Sequence, residues 1–310
     1  MLVSAPASDE PLANVGAAVE EFCAHAERGF SMESLETALR SICANIDRAR
    51  IAGSDDGAIR ALVRPAYDIH ATSAFIQRLQ TWPRGYAGDF ETIEWIARSH
   101  PELDAGHRAY WIEWYALNGV LGQQHRNKLA WQRGLMERAA RGGGRILNIG
   151  CGGCADVADG PAFLGDCDVV LVDMDADALA LAGERLKGAR SLKLVRRNVI
   201  RGVQEALRLG PFDLILCGGL FDYFPDRTIQ KLAVQLTGAL SDEGTFAFTN
   251  IGDENPLRPW MEYLADWRLI HRDAGLMREL LSGVDISGFD VALEKDASGL
   301  TWLCAVSRRT

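Results

Sequence analysis

The first 141 residues place their apolar side chains at helical spacing. Between Val15 and about Arg50 such positions recur every three or four residues: Val15, Val19, Phe22, Cys23, Leu35, Leu39 and Ile42. Gly29 and Ser31 divide this stretch into two helices, and Ser31 is placed to cap the second. After a loop at 53–57, the pattern predicts a helix over 59–63 that ends before Pro65, another over 69–79, and helices across 91–141. Residues 1–141 are therefore predicted to form an all-helical N-terminal domain.

After residue 141 the pattern changes to short apolar runs separated by turn residues. Three consecutive glycines follow Arg141 and mark a flexible joint, so residues 142–310 are predicted to form a second domain. Strands are predicted at 145–149, 169–172, 192–196, 212–217, 243–250, 291–293 and 301–306, with a strand-like run at 267–272. Strands that alternate with helix-permissive segments indicate an α/β fold.

A glycine cluster at the first of these strands is the strongest candidate for a binding site. Gly150, Cys151 and Gly152 follow the strand directly, and glycine permits a sharp turn and the close approach of a ligand to the backbone. Asp173 ends the next strand, where a carboxylate can accept hydrogen bonds from both hydroxyls of a ribose. Ala155 stands where a dinucleotide-binding loop has its third glycine, and no Lys-Ser/Thr pair follows as in a P-loop. The pattern predicts a nucleoside site, with an NAD-binding domain as the alternative.

The segment Asn148 to Gly153 resembles motif I of class I S-adenosylmethionine-dependent methyltransferases. That resemblance implies a Rossmann-like fold with a mostly parallel, seven-stranded sheet, S-adenosylmethionine as cofactor and S-adenosylhomocysteine as product. In this family the glycine loop faces the methionine part of the cofactor, and the acidic residue holds the ribose. The resemblance implies the following cofactor-binding residues: Arg84, Gly150, Cys151, Gly152, Asp173, Met174, Asn198 and Gly218. Among them, Asn198 is expected to contact the adenine, and Arg84 belongs to a second motif described next.

A second motif narrows the resemblance. The stretch from Arg84 to Asp89 reads RGYAGD, and it resembles the motif of a methyltransferase subgroup with a helical N-terminal domain. That subgroup includes bacterial indole C3-methyltransferases that start pyrroloindoline formation, and close relatives act on 3-hydroxy fatty acids. Both also carry the Gly-Leu-Phe-Asp-Tyr segment found here at 219–223. The resemblance implies that the helical domain closes over the methyltransferase domain as a lid, and it suggests a homodimer.

Four residues of these motifs are candidates for catalysis: Tyr86, Asp89, Asp222 and Tyr223. Tyr86 is assigned to the neighbourhood of the sulfonium, which an aromatic face can orient. Arg84 has two candidate roles. It could form a charge-assisted pair with Asp89 that holds the turn, or it could contact the carboxylate of the cofactor. The contact to the cofactor is preferred. Asp222 is a candidate to orient a substrate N–H group or the tyrosine of the RGYAGD motif. The equally favoured alternative is structural, with Asp222 as a capping residue and Tyr223 as a buried one.

The acceptor is predicted from the distribution of aromatic residues. Trp111, Tyr115 and Trp267 are the candidate substrate-binding residues, since a flat aromatic acceptor suits such side chains, although most of the aromatic stripe is expected to be core. The favoured reaction is methylation at C3 of an indole, either a tryptamine derivative or a tryptophan-containing cyclic dipeptide, leading to a pyrroloindoline. The alternative is O-methylation of a 3-hydroxy fatty acid, whose carboxyl group would need a cation such as Arg258 or Arg272. A cofactor-binding protein without turnover is the remaining alternative.

Composition excludes several other classes of protein. The net charge of −9 argues against nucleic acid as a partner, because binding phosphates needs clustered Lys and Arg. No run approaches the roughly 18 uncharged apolar residues of a membrane helix. The seven cysteines are scattered, which indicates reduced thiols in a cytoplasmic protein, and Cys151 and Cys154 lack partners at the spacing of a metal site. No metal is expected.

Overall fold

The computed structural model describes residues 10–309, which divide into two compact units. The first unit contains the described residues up to Gly122 together with Asn255–Arg268. The second contains Gln123–Glu254 and Leu269 to the C-terminus. This division differs from the boundary at residues 141 and 142 that the glycine run indicates. The segment Asn255–Arg268 follows the fifth strand in sequence, yet it packs with the helices of the first unit.

Helices account for the regular structure of the N-terminal region. They are α1 (Glu10–Arg28), α2 (Met32–Ile51), α3 (Asp56–His70), α4 (Ala74–Thr81), α5 (Phe90–Arg98), α6 (Tyr110–Asn118) and α7 (Val120–Ala140). From Gln123 onward, α7 belongs to the second unit. A single π-helical turn, Trp260–Leu264, also belongs to the first unit. None of the helices in residues 10–309 is both long and apolar enough to cross a membrane.

Side-chain caps explain where several of these helices begin. Ser31 accepts a hydrogen bond from the backbone N–H of Ser34, whose hydroxyl accepts one from the N–H of Ser31, as predicted for the start of α2. Asp55 and Ser73 cap α3 and α4 by accepting hydrogen bonds from the backbone N–H groups of Ala58 and Ile76. The prediction that a helix ends before Pro65 is wrong, because Pro65 lies inside α3. The buried faces on both sides of the proline, Ile59 and Val63 before it and Ala66 after it, keep the helix continuous.

The second unit contains a seven-stranded sheet in the order β3-β2-β1-β4-β5-β7-β6. Its strands are β1 (Arg145–Ile149), β2 (Asp168–Asp173), β3 (Ser191–Arg196), β4 (Phe212–Cys217), β5 (Leu240–Ile251), β6 (Phe289–Lys295) and β7 (Thr301–Arg308). The first five are parallel, and β7 pairs antiparallel with both β5 and β6. The predicted α/β class and the mostly parallel sheet are confirmed.

Helices cover both faces of this sheet, which is why its central strands are apolar on both sides. The covering helices are α7, α8 (Ala176–Arg185), α9 (Val199–Ala206), α10 (Asp226–Thr237) and α11 (Ala274–Glu279). One core cluster includes Leu147, Val172 and Phe246, and the other includes Ile146, Leu171 and Leu214. The strand order reverses between β1 and β4, and ligands of such sheets bind at the carboxyl ends of the strands where this reversal occurs.

Two local predictions differ from the structure. The segment between β1 and β2, expected to be helix-permissive, forms only two short 3-10 turns, Ala155–Val157 and Pro161–Leu164. The strand-like run at 267–272 forms no strand in the described chain, and its single ladder contact is a parallel bridge between Gly252 and Arg272. The side chain of Arg272 is fully buried, and the run serves as a connection.

Candidate active site

The loop after β1 turns through a series of positive φ angles. Gly150 has φ +66° and Gly152 has φ +53°, values that glycine adopts without the clash of a Cβ atom. The N–H of Gly150 donates to the carbonyl of Val172 on β2, 2.8 Å away. Cys154 also has positive φ, at +54°, and its thiol is buried. The loop therefore exposes backbone, and not bulky side chains, at the end of the central strand.

Asp173 connects the end of β2 to this loop. Its Oδ2 accepts from the N–H of Gly152 at 2.8 Å, and its Oδ1 accepts from the N–H of Asp175 at 3.0 Å. Burial raises the pKa of the Asp173 carboxyl, although the backbone N–H groups of Asp175, Gly152 and Met174 oppose that rise. Each oxygen can accept further hydrogen bonds, since a carboxylate has about four acceptor sites. The residue can thus hold the loop and two ribose hydroxyls together.

Two other predicted cofactor residues lie at the same edge of the sheet. Met174 follows Asp173 directly and is 54% exposed, which leaves its thioether side chain available to an apolar ring. Asn198 follows β3 and caps α9, because its side-chain oxygen accepts from the N–H of Ile200 at 3.1 Å. A contact from Asn198 to adenine would therefore use its amide nitrogen.

The end of β4 is packed against helix α7. A Cβ atom added to Gly218 would lie 2.3–2.5 Å from the amide group of Gln132, which is itself buried. The next residue, Gly219, has φ +77° and donates its N–H to Thr249 Oγ1 at 2.9 Å. Glycine is therefore required at position 218 by close packing and at 219 by backbone conformation.

Asp222 is buried behind this segment, whereas Tyr223 is 37% exposed. The Oδ1 of Asp222 accepts from the N–H of Ile251 at 2.6 Å, and its backbone carbonyl accepts from Ile270. Burial raises the pKa of the Asp222 carboxyl, and the nearby cations Lys128 and Arg272 limit that rise. Asp222 thus joins the segment after β4 to β5. The catalytic roles of Asp222 and Tyr223 stay predictions.

Arg272 has a structural position that its sequence context does not reveal. Its side chain is fully buried and donates to the carboxylate of Asp226, the side-chain oxygen of Asn250, and the carbonyls of Phe221 and Phe224. Arg258, the other cation considered for an acidic acceptor, pairs with Glu262 at 2.6 Å. Both guanidinium groups are therefore already engaged.

The RGYAGD segment occupies the turn between α4 and α5. Asp89 caps α5 by accepting from the N–H of Thr92, and its two oxygens also accept from Arg78 at 3.1 and 2.7 Å. Arg84 pairs with Glu91 and lies over the ring of Phe90, 4.5 Å from the ring centre. Gly85 and Gly88 both have positive φ, and Tyr86 between them is partly exposed. Asp89, 1% exposed, therefore positions this turn, and Arg78 is the partner that sequence reasoning missed.

The predicted substrate residues lie in the first unit. Trp111 contacts Trp114 edge-on with ring centres 6.1 Å apart, and Tyr110 contacts Trp111 in the same manner. Tyr115 is 8% exposed, and burial raises its pKa to about 12. Trp267 is buried, and its backbone N–H donates to the carbonyl of Met261. The stripe is thus mostly core, and Trp111 is the more accessible of the three candidates.

Comparison with known proteins supplies the deciding observation for the second unit. Residues 147–246 match the sequence family described as a methyltransferase domain, and this span runs from β1 into β5. The chain contains a methyltransferase domain. Its cofactor is S-adenosylmethionine, and the NAD-binding alternative is rejected. The glycine loop and the acidic end of β2 fit this methyltransferase cofactor, because the pinned carboxylate of Asp173 offers acceptors for ribose hydroxyls beside exposed backbone.

Several solved structures are similar to this chain in fold. A possible exported protein from Bordetella parapertussis is 16% identical, and the match covers 99% of this chain and 100% of that one with a TM-score of 0.56. Magnesium protoporphyrin IX methyltransferase from Synechocystis PCC 6803, solved with bound SAM, is 13% identical over 62% of this chain and 85% of its own, with a TM-score of 0.42. The N-methyltransferase NodS from Bradyrhizobium japonicum WM9 is 16% identical over 59% and 97%, with a TM-score of 0.39. No curated protein matches the chain.

Proposed function

We propose that this methyltransferase acts on a small molecule and methylates C3 of an indole that can cyclise to a pyrroloindoline. The proposal rests on the RGYAGD segment and the Gly-Leu-Phe-Asp-Tyr segment, which resemble those of indole C3-methyltransferases. The observation that favours an indole over a fatty acid concerns Arg272 and Arg258. Both guanidinium groups have carboxylate partners, so neither is available to a carboxylate acceptor.

This reaction requires little of the protein beyond holding the acceptor and the cofactor in position. When bound, S-adenosylmethionine supplies an electrophilic methyl group, and C3 of an indole is already nucleophilic. Holding the acceptor in line with that methyl group supplies a large part of the rate enhancement. Alkylation at C3 leaves positive charge on the indole ring, which a phenol or a carboxylate stabilises better than a cation does. In this proposal Asp222 orients the N–H group of the indole, and Tyr86 keeps its assigned place near the sulfonium.

The test is product analysis with two panels of acceptors. Indoles and 3-hydroxy fatty acids are incubated with the protein and S-adenosylmethionine, and the products are examined by mass spectrometry and absorbance. The proposal expects the addition of one methyl group to an indole, with loss of the indole absorbance as the pyrroloindoline forms. Methylation of the acids alone, or methylation of the indole at nitrogen with its absorbance retained, would refute it.

A variant of Tyr86 tests the role of its hydroxyl. Tyr86→Phe keeps the ring and is expected to lower kcat by roughly 10- to 100-fold, the effect of losing one hydrogen bond to a charged group. The matched control is Tyr67→Phe, which removes a hydroxyl from the same unit where its partner is Asp266. Equal kcat values for Tyr86→Phe and the wild type would mean that the Tyr86 hydroxyl has no role in the reaction and that the side chain only packs.

A further inference from the structure

A buried lysine of helix α7 lies at the carboxyl edge of the sheet. Lys128 is 7% exposed, and its Nζ lies 3.4 Å from the position that a Cβ atom on Gly219 would occupy. Gly219 follows β4, which pairs directly with β1 and so lies beside the glycine loop. The ammonium group is therefore next to the two strand ends that frame the expected methionine part of the cofactor.

The nearby carboxylates are occupied by other groups. Asp222 accepts from the N–H of Ile251, and Asp296 accepts from Asn127, Ser298 and the N–H of Thr301. Both carboxylates act on Lys128 through their charge, and within residues 10–309 its Nζ has no hydrogen-bond acceptor and no carboxylate oxygen within 4.0 Å. Burial lowers the pKa of Lys128, because an ammonium group without acceptors loses its hydration. A buried cation in this state favours an anionic ligand.

The backbone of Gly219 is accessible to such a ligand, because this residue carries no side chain and is half-exposed. The space beside Gly218 is filled by the amide of Gln132, one helical turn further along α7. A carboxylate lying against this backbone can accept from the lysine, while the oxygens of Asp222 and Asp296 keep their own donors. Lys128 and Gly219 together place a positive charge beside accessible backbone at the edge of β4.

We propose that Lys128 binds the α-carboxylate of the methionine part of S-adenosylmethionine. This assignment differs from the role predicted for Arg84, which already pairs with Glu91. The assignment depends on the cofactor and does not depend on which acceptor the enzyme methylates. A carboxylate group on the acceptor could bind Lys128 by the same chemistry, so the experiment distinguishes a carboxylate of the cofactor from one of the acceptor.

The test compares two ligands that differ only in this carboxylate. Calorimetry measures the binding of S-adenosylhomocysteine and of its decarboxylated analogue, which keeps the amine. Wild-type protein is expected to prefer S-adenosylhomocysteine by at least about tenfold, the effect of one hydrogen bond between charged groups. Lys128→Met should weaken binding of S-adenosylhomocysteine by about that factor and bring the ratio of the two dissociation constants close to one. Lys128→Arg, which keeps the charge, should retain part of the preference.

Two control variants remove a positively charged side chain at positions other than Lys128. Lys187→Met removes an exposed lysine of the same unit and should leave the ratio unchanged. Arg84→Met tests the earlier assignment, and collapse of the ratio in that variant alone would overturn the proposal. A wild-type ratio near one would overturn it without any variant, even if Lys128→Met failed to fold. An unchanged ratio in a folded Lys128→Met protein, with a raised KM for the acceptor, would assign the lysine to the acceptor instead.

Discussion

At the scale of single residues, the carboxylate of Asp173 combines a structural and a binding task. One oxygen is bonded to the glycine loop and the other to the start of α8, so the loop and the end of β2 are fixed together before any ligand arrives. Such preorganisation lowers the entropic cost of ordering the site when the cofactor binds. An acidic residue suits this position better than an amide because both side-chain oxygens accept hydrogen bonds, and an amide has only one acceptor oxygen.

Replacement of Asp173 by Asn tests this account. Asp173→Asn removes the charge and one acceptor, so we expect S-adenosylhomocysteine to bind roughly 10- to 100-fold more weakly, as for lost hydrogen bonds to a charged group. Calorimetry measures the change, and thermal unfolding monitors the integrity of the loop. Asp159→Asn, at an exposed position in the segment that follows the glycine loop, is the matched control. Equal affinities in the two variants would contradict the role of Asp173.

At the scale of elements, helix α9 approaches β2 closely through a glycine. A Cβ atom on Gly202 would lie 2.4 Å from Cγ1 of Val172, the buried residue next to Asp173. Val172 is β-branched and sits in a strand paired on both sides, so its methyl group cannot move aside easily. Gly202 therefore sets the distance between α9 and the strand that carries the ribose-binding residue.

Gly202→Ala is expected to lower the free energy of unfolding by about 1–3 kcal/mol, the usual cost of overpacking a core. The control is Gly134→Ala in α7, where the nearest atom would lie at 3.6 Å. That change should raise stability by roughly 0.5–1 kcal/mol, because alanine is the better helix former. Urea denaturation measures both effects.

The double variant Gly202→Ala with Val172→Ala tests whether these two side chains limit the packing. Its change in the free energy of unfolding should differ from the sum of the changes in the two single variants, and simple additivity would mean that the contact does not limit the packing.

At the scale of the whole molecule, buried histidines make stability depend on pH. His70 is fully buried in the first unit, where Nδ1 lies 2.7 Å from the carbonyl of Ala66 and Nε2 accepts from the indole N–H of Trp260. A ring that donates through one nitrogen and accepts through the other is neutral. Burial lowers the pKa of His70 to about 4, because the charged ring would lose its hydration.

The sign of the pH effect follows from this shift. Below its ordinary pKa near 6.5 the unfolded chain binds a proton at His70 that the folded protein does not, so stability falls as pH drops from 6.5 to 4. At about 1.4 kcal/mol per pH unit, the loss over this interval is about 3 kcal/mol. Urea denaturation at a series of pH values should show a smaller slope for His70→Gln than for wild-type protein. His25→Gln, at a partly exposed position, should retain the wild-type slope. Parallel slopes for all three proteins would contradict the assignment.

Much of the fold follows from signals that lie close together in the chain. The apolar runs located the strands, Ser31 located the start of α2, and the glycines after β1 with Asp173 located the cofactor edge. In each case the physical cause is local: backbone propensity, a cap within three residues, or a turn that requires positive φ. The error at Pro65 shows the limit of that reasoning, because burial on both sides of the proline outweighed the local preference for a helix end.

The sequence by itself determined the fold class, the parallel strands, and the methyltransferase chemistry that the motifs imply. Tertiary structure alone decided which side chains share an environment: Lys128 beside Gly219, Arg272 among Asp226 and Asn250, and Trp260 against His70. These partners are separated by many residues, and nothing in the local pattern of either marks the other. Such contacts depend on how packed elements bring distant positions together, so the charge state and the available acceptors of a side chain are fixed only when the chain has folded.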